Sequence, residues 1–230
     1  MAWVDVAGVV VVAALAPSMV SMLRPRAALA PSAPGAGAVP DLWQVMLSGA
    51  LMLAYVWARS SRDASPRHTL GLQSRRGVWA LPIGVGVALL AFAAAAVILL
   101  SFQALVGEGA MAGRDAALEG FKRIPLAQAL CMAAWAGVYE EIVARGFLAD
   151  RLRKGLAYSG VVGKPWLPVV LGAWLFALGH VYQGPVGVVQ TFAAGLLFSW
   201  ATRLDSGVLV AIVAHVVVDA GSFLMLRYAA

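Results

Sequence analysis

Long apolar runs alternate with short basic segments along this chain. A bilayer core of about 30 Å is crossed by roughly 20 helical residues, and runs of that length recur from one end of the sequence to the other. They predict an all-α, polytopic transmembrane helical bundle with about seven spans. The number becomes six or eight if one run is interfacial or another breaks at Pro82. The predicted spans are approximately 6–23, 42–58, 78–106, 124–149, 165–183, 185–202 and 206–226.

The stretch 24–40 is rich in proline, alanine and glycine, which predicts an irregular connection rather than a helix. No other composition shift marks a domain boundary. We therefore predict one membrane domain, in which 1–123 supplies N-terminal helices and basic loops and 124–226 supplies the polar core described below.

Composition sharpens this interpretation. Apolar residues make up 62% of the chain and charged residues 12%, with a mean hydropathy of +0.85, whereas a soluble domain has roughly 45–50% and about 25%. The net charge of +6 comes from basic residues between the apolar runs, so they are predicted to flank a bilayer rather than to bind nucleic acid. The single cysteine, Cys131, excludes an intramolecular disulfide and a cysteine-based zinc site.

The loops differ in basic charge. With seven spans, the side that carries the N-terminus holds ten Lys and Arg residues, against six on the other side. Because cytoplasmic loops carry the excess of Lys and Arg, the N-terminus is predicted to be cytoplasmic. The bias toward Ala, Gly, Val and Arg suggests a bacterial gene, so we expect a multi-pass inner-membrane protein.

Several ionisable residues interrupt the predicted spans, where they are costly and tend to mark a function. Glu141 and Arg145 are four residues apart, the spacing of a helical ion pair. Glu140 points about 100° away from Glu141 around the helix and has Ala144 four residues on, so its carboxylate must face another polar group.

Two later spans carry histidines. His215 and Asp219 share one helix face, which lets the carboxylate orient the imidazole, and His180 stands alone in its span. At about 1.5 Å per residue, Glu140, His180, His215 and Asp219 all lie roughly 15–21 Å from the side with the basic 150–164 loop. This shared depth on three helices favours one functional site over separate structural pairs.

At these residues the sequence resembles the CAAX-protease and bacteriocin-processing (CPBP, also called ABI) family of intramembrane endopeptidases. The family motif EExxxR corresponds to residues 140–145, FxxxH to 176–180, and HxxxN or HxxxD to 215–219. The three motifs occur in the family's order, each within a predicted span. The resemblance implies hydrolysis of a peptide bond in a membrane-associated protein or peptide precursor.

The resemblance also implies roles for individual residues. Glu140 would act as general base and, with His180, activate a water molecule. His215 and Asp219 would stabilise the oxyanion of the tetrahedral intermediate. Glu141 and Arg145 would hold these catalytic groups in position without acting on the substrate themselves.

Position 219 departs from the many relatives that carry asparagine there. Because an ionised carboxylate repels an oxyanion, Asp219 must be protonated, orient His215, or bind a metal. In the last case Glu140, His180, His215 and Asp219 are the alternative ligands of a Zn²⁺ ion that activates water. We favour the metal-free glutamate mechanism, because the resemblance implies it and the helical HExxH spacing is absent.

Two other classes of protein fit a membrane bundle with buried charges. One is a non-enzymatic bacteriocin-immunity or scaffold protein, and the other is a proton-coupled transporter, since intramembrane Glu and His also form proton relays. A relay does not need the three motifs in this order, which favours the protease.

Overall fold

The computed structural model describes residues 1–22, 42–107 and 121–228. Within these ranges the chain is helical and contains no strand, which confirms the all-α bundle. The predicted irregular connection at 24–40 lies outside the described residues. The helices are α1 (Ala2–Met22), α2 (Leu42–Ser60), α3 (Pro66–Thr69), α4 (Ala80–Val106), α5 (Leu126–Glu141), α6 (Ala149–Tyr158), α7 (Leu167–Leu178), α8 (Gly184–Asp205) and α9 (Leu209–Tyr228).

Three stretches of the described chain are long and apolar enough to cross a bilayer: Gly77–Val106, Val181–Asp205 and Leu209–Tyr228. Helix α4 continues through Pro82 without a break, because this proline lies in its first turn, where a missing N–H costs little. Large apolar side chains such as Leu89 and Leu100 point outward from α4, as expected of a lipid-facing helix. The chain is a membrane protein, and the number of seven spans stays a prediction.

The predicted span 124–149 is a helical rod interrupted by a π-helical segment, Ile142–Leu148, that joins α5 to α6. Such segments are rare and frequently occur at functional sites. Here the segment follows Glu140 and Glu141 directly and contains Arg145. The backbone at Gly146 touches the connection after α3, since a Cβ there would lie 2.3 Å from the Leu70 carbonyl oxygen.

Helix α7 is shorter than the predicted span 165–183. Its 12 residues rise about 18 Å, less than the thickness of a bilayer core. After Gly179 the chain turns through a short 3₁₀ segment, Val181–Gln183, and Gly184 adopts a φ of +73° before α8 begins. His180 therefore lies in a turn rather than within a helix.

Helix α9 packs against both α4 and α5, and small residues allow these approaches. A Cβ at Gly84 of α4 would lie 2.5 Å from Val213, and one at Gly137 of α5 would lie 2.5 Å from Val216. The close contact between α5 and α9 brings the first and third sequence motifs together.

One end of the bundle, here called the loop face, gathers the N-terminus, the 61–79 connection and the α8–α9 turn. Asp5 of α1 forms an ion pair with Arg59 at the end of α2. Asp205 at the end of α8 accepts hydrogen bonds from the Ser74 hydroxyl and from the backbone N–H groups of Arg75 and Arg76. At the opposite end, Arg227 donates to the carbonyl of Ile124. Which end faces the cytoplasm stays a prediction.

Candidate active site

Glu141, the last residue of α5, is fully buried at the centre of the polar cluster. Its Oε1 accepts hydrogen bonds from Arg145 Nη1 at 2.9 Å and from His215 Nδ1 at 2.7 Å. The ion pair predicted from the spacing of Glu141 and Arg145 is therefore formed. The bond from His215 also places a proton on Nδ1 and leaves Nε2 to face the other side of the ring.

Two aromatic rings hold the His215 imidazole in place. Phe198 of α8 stacks on it with a centroid distance of 5.3 Å and an interplanar angle of 28°. Phe176 of α7 approaches edge-on, with centroids 5.9 Å apart. Only 7% of the His215 side chain is exposed, so the orientation of its Nε2 is well determined by packing.

Two carboxylates face Nε2 of His215. Asp219 Oδ2 lies 3.5 Å from this nitrogen, and Glu140 Oε2 lies 4.0 Å from it. The Glu140 side chain is 20% exposed and that of Asp219 is 33% exposed, in contrast to the fully buried Glu141. The cluster is therefore closed behind His215 and open on the side of Glu140 and Asp219.

The structure adds a second carboxylate contact to the one predicted for His215. The spacing of His215 and Asp219 predicts that Asp219 orients the ring, and this contact exists at 3.5 Å. The shorter contact, 2.7 Å, is to Glu141 on a different helix. The spacing of residues within α9 carries no information about contacts across the α5–α9 interface, so the contact with Glu141 was not predicted from the sequence.

His180 lies in the turn after α7 and is half-buried. Its Nδ1 donates to the Phe176 carbonyl at 2.9 Å, which leaves Nε2 unprotonated in the neutral ring. The His180 ring packs on the Phe176 ring at 4.9 Å, and Phe176 also contacts His215. One phenylalanine therefore lies between the second and third motifs.

Arg145 is buried beneath the same aromatic rings. Its guanidinium carbon lies 4.1 Å from the centroid of Phe176 and 5.5 Å from that of Phe198, within range of a cation–π interaction. Arg145 Nη2 and Glu141 Oε2 are buried without a hydrogen-bond partner among the described residues. The Glu141–Arg145 pair therefore depends on one short hydrogen bond and on the two rings.

The side chains at the site bear on whether zinc could bind. Across the described ranges, no three His, Cys, Asp or Glu side chains form a group that could hold a metal ion. The Nδ1 atoms of His180 and His215 are both bonded to protein oxygens, an arrangement that leaves Nε2 of each ring available to water or to a metal ion. Zinc therefore stays the alternative to a metal-free reaction in the experiments below.

Residues 122–221 match a protein-family model described as type II CAAX prenyl endopeptidase, Rce1-like. The matched segment contains all three motifs, so the resemblance to CAAX-type intramembrane proteases is confirmed. Helices α1 to α4 lie entirely outside the match. No curated protein and no solved structure matches the chain.

Proposed function

We propose that this chain is an intramembrane endopeptidase that hydrolyses a peptide bond in a membrane-associated protein or peptide precursor without a metal ion. The observation that carries the proposal is the arrangement around His215 Nε2, where Glu140 and Asp219 lie within 4.0 Å and are partly exposed. Carboxylates inside a membrane bundle are costly, so their presence at such a site supports a functional role.

In the proposed reaction, Glu140 and His180 activate a water molecule. Glu140 accepts a proton from the water as its oxygen attacks the carbonyl carbon of the substrate. The same proton passes to the amide nitrogen when the C–N bond breaks, so the products are a carboxylic acid and an amine. General base catalysis of this kind contributes about 10²- to 10⁴-fold in rate.

His215 stabilises the oxyanion in this proposal. When its ring carries a proton on both nitrogens, Nε2 donates to the developing negative charge while Nδ1 stays bonded to Glu141. Asp219, 3.5 Å from Nε2, then acts by orienting His215 rather than as a direct donor.

The test uses the purified full chain in liposomes with two probes: a farnesylated peptide with a C-terminal CAAX sequence, and an unprenylated single-span peptide. Mass spectrometry identifies the cleavage products. We expect the wild type to cleave one of the probes and Glu140→Gln to retain at most a few per cent of that rate. The matched control is Asp63→Asn, an acidic residue at the loop face, which should cleave normally.

A parallel comparison of host membrane and secreted proteomes, with wild type or Glu140→Gln, identifies natural substrates. Equal cleavage by both proteins would contradict the assignment of Glu140. The absence of any Glu140-dependent product in the probes and in the proteomes would instead favour a non-enzymatic immunity or scaffold protein.

A further inference from the structure

The Glu140 carboxylate has a hydrogen-bond donor that belongs to none of the three motifs. The hydroxyl of Tyr139, the preceding residue on α5, donates to Glu140 Oε1 at 2.8 Å. The other oxygen, Oε2, is the one that lies toward His215. Tyr139 therefore fixes which carboxylate oxygen faces the histidine and which faces away.

The Tyr139 ring is itself held by a helix outside the family match. A Cβ at Gly49 of α2 would lie 2.7 Å from Tyr139 Cδ1 and 2.4 Å from Trp135 Nε1. Trp135 packs on Tyr139 with centroids 6.0 Å apart, and its Nε1 donates to the Val45 carbonyl. The absence of a side chain at Gly49 is what admits the two rings against α2.

From these contacts we infer that Tyr139 is the positioning residue of Glu140, and that Gly49 of α2 sets the place of its ring. The inference rests on the proposed function in one respect, namely that Glu140 is the group that must be oriented. A carboxylate held in one orientation reaches a water molecule more often in the productive geometry.

Other charged or titratable groups act on Glu140 from the neighbouring elements. His215 and Asp219 face it from α9. Arg145 on the π-helical segment and Tyr182 in the α7–α8 turn interact with it electrostatically. Because Tyr139→Phe leaves these groups in place, a change in the infrared band of Glu140 isolates the effect of the hydroxyl.

The test is the infrared difference spectrum of the Glu140 carboxyl group, measured on the full chain in liposomes. The carboxyl C=O band of Glu140 is identified by its loss in Glu140→Gln. A hydrogen bond to a carboxyl oxygen weakens its C=O bond, so in Tyr139→Phe, which keeps the packing of the ring, we expect this band to move to higher wavenumber. Tyr158→Phe, whose side chain is exposed, should leave the band unchanged.

Activity gives a second measurement with the probe that the wild type cleaves. In Tyr139→Phe, kcat should fall about tenfold while KM stays near the wild-type value, because the hydroxyl orients the base and is not proposed to touch the substrate. An unchanged Glu140 band in a folded Tyr139→Phe protein would overturn the inference, even if Glu140→Gln is inactive. Full activity of Glu140→Gln would overturn the proposed function instead.

The part played by Gly49 is tested with a pair of glycine variants. Gly49→Ala forces the Trp135 and Tyr139 rings to shift, so the Glu140 band should move as it does in Tyr139→Phe. Gly86→Ala on α4 places a Cβ where no heavy atom lies within 4 Å and should have no effect. Equal band positions in the two alanine variants would show that α2 does not set the position of Tyr139.

Discussion

Two buried clusters of charge differ in how their acids and bases are matched. The loop-face cluster surrounds Arg151, which reaches three carboxylates: Asp63 at 2.8 Å, Asp150 at 2.9 Å and Asp5 at 2.9 Å. Asp5 also pairs with Arg59, and Asp150 pairs with Arg153 and Lys154. Each acid of this cluster has a basic partner.

The site cluster has the opposite balance. Three acids, Glu140, Glu141 and Asp219, surround His215. One arginine, Arg145, contributes to the cluster, and among the described residues its hydrogen bond is to Glu141. A cluster that joins α1, α2 and α6 through matched pairs stabilises the architecture. A cluster with surplus, partly exposed carboxylates costs stability and is suited to proton transfer. The comparison therefore predicts that variants of the site cluster lower activity, whereas variants of the loop-face cluster lower stability and leave activity unchanged.

The largest difference between the effect on activity and the effect on stability is expected at Glu140. In Glu140→Gln we expect a loss of about 10²- to 10⁴-fold in kcat/KM, with little change in the melting temperature, because Gln has the same shape and the side chain is partly exposed. Product formation from the liposome probes and thermal unfolding in detergent measure the two quantities. A variant that unfolds more easily than the wild type would show that Glu140 is a structural group as well.

Arg145→Ala should affect both quantities. Removing the guanidinium leaves Glu141 as a buried carboxylate without its ion-pair partner, and breaking a buried pair costs roughly 3–5 kcal/mol of unfolding free energy. We expect a lower melting temperature and a lower yield, and a lower kcat in the folded fraction, because Glu141 holds His215. Arg203→Ala, an exposed arginine on α8, is the control. Equal stability of the two variants would contradict the buried pair.

Much of the fold follows from the sequence because lipid imposes a simple rule on length and polarity. The runs at 42–58, 78–106 and 206–226 predict α2, α4 and α9 closely. The rule says nothing about an interruption of hydrogen bonding, so the π-helical segment 142–148 and the early end of α7 at Leu178 were not predicted. Both depend on local backbone geometry rather than on average hydropathy.

At the site, too, some contacts could be predicted from the sequence and others could not. Contacts within one helix follow from spacing, so Glu141 with Arg145 and His215 with Asp219 were predictable. Contacts between helices depend on crossing angle and rotation, so the bond from His215 to Glu141 was not. The hydroxyl of Tyr139 was missed for another reason, since adjacent residues on a helix rarely face each other.

Arg151→Ala is the counterpart of Arg145→Ala in the loop-face cluster. Its charged hydrogen bonds are worth roughly 1.5–3 kcal/mol each, but Asp5 and Asp150 keep other basic partners, so the total loss should be about that of one bond. The activity of the folded fraction should equal that of the wild type. If Arg151→Ala is fully folded under the assay conditions and kcat is still reduced, the loop-face cluster influences the site cluster.

Asp219→Asn tests the chemistry at the departure from the family motif. If Asp219 acts through His215, the amide keeps the shape of the side chain and adds a donor, so activity should stay within about tenfold of the wild type. The measurement is kcat/KM together with the zinc content before and after chelator treatment. Loss of activity that accompanies loss of stoichiometric zinc would replace the metal-free mechanism by the zinc alternative.

The smallest effect is expected at Asp63 in the loop-face cluster. Partial burial of Asp63 favours the protonated form, but hydrogen bonds from Arg151 and Thr69, with the charges of Arg151 and Lys154, outweigh it and lower the pKa below its ordinary value of 3.8. A carboxyl whose pKa is lowered by folding contributes stability above its unfolded pKa, and this contribution is lost as the pH falls through its folded pKa.

Asp63→Asn removes this contribution, which for a partly exposed pair is about 0.2–1 kcal/mol. The variant should therefore melt slightly below the wild type near neutral pH, and the difference should shrink as the pH falls below about 4. Thermal unfolding in detergent at a series of pH values measures the difference in melting temperature between Asp63→Asn and the wild type. Asp205→Asn is the comparison variant, because Asp205 is a loop-face acid that bonds the Ser74 hydroxyl rather than an arginine side chain. A gap that persists unchanged into the acid range would show that Asp63 stabilises the loop face through neutral hydrogen bonds, and that the matched charges around Arg151 are not what holds these helices together.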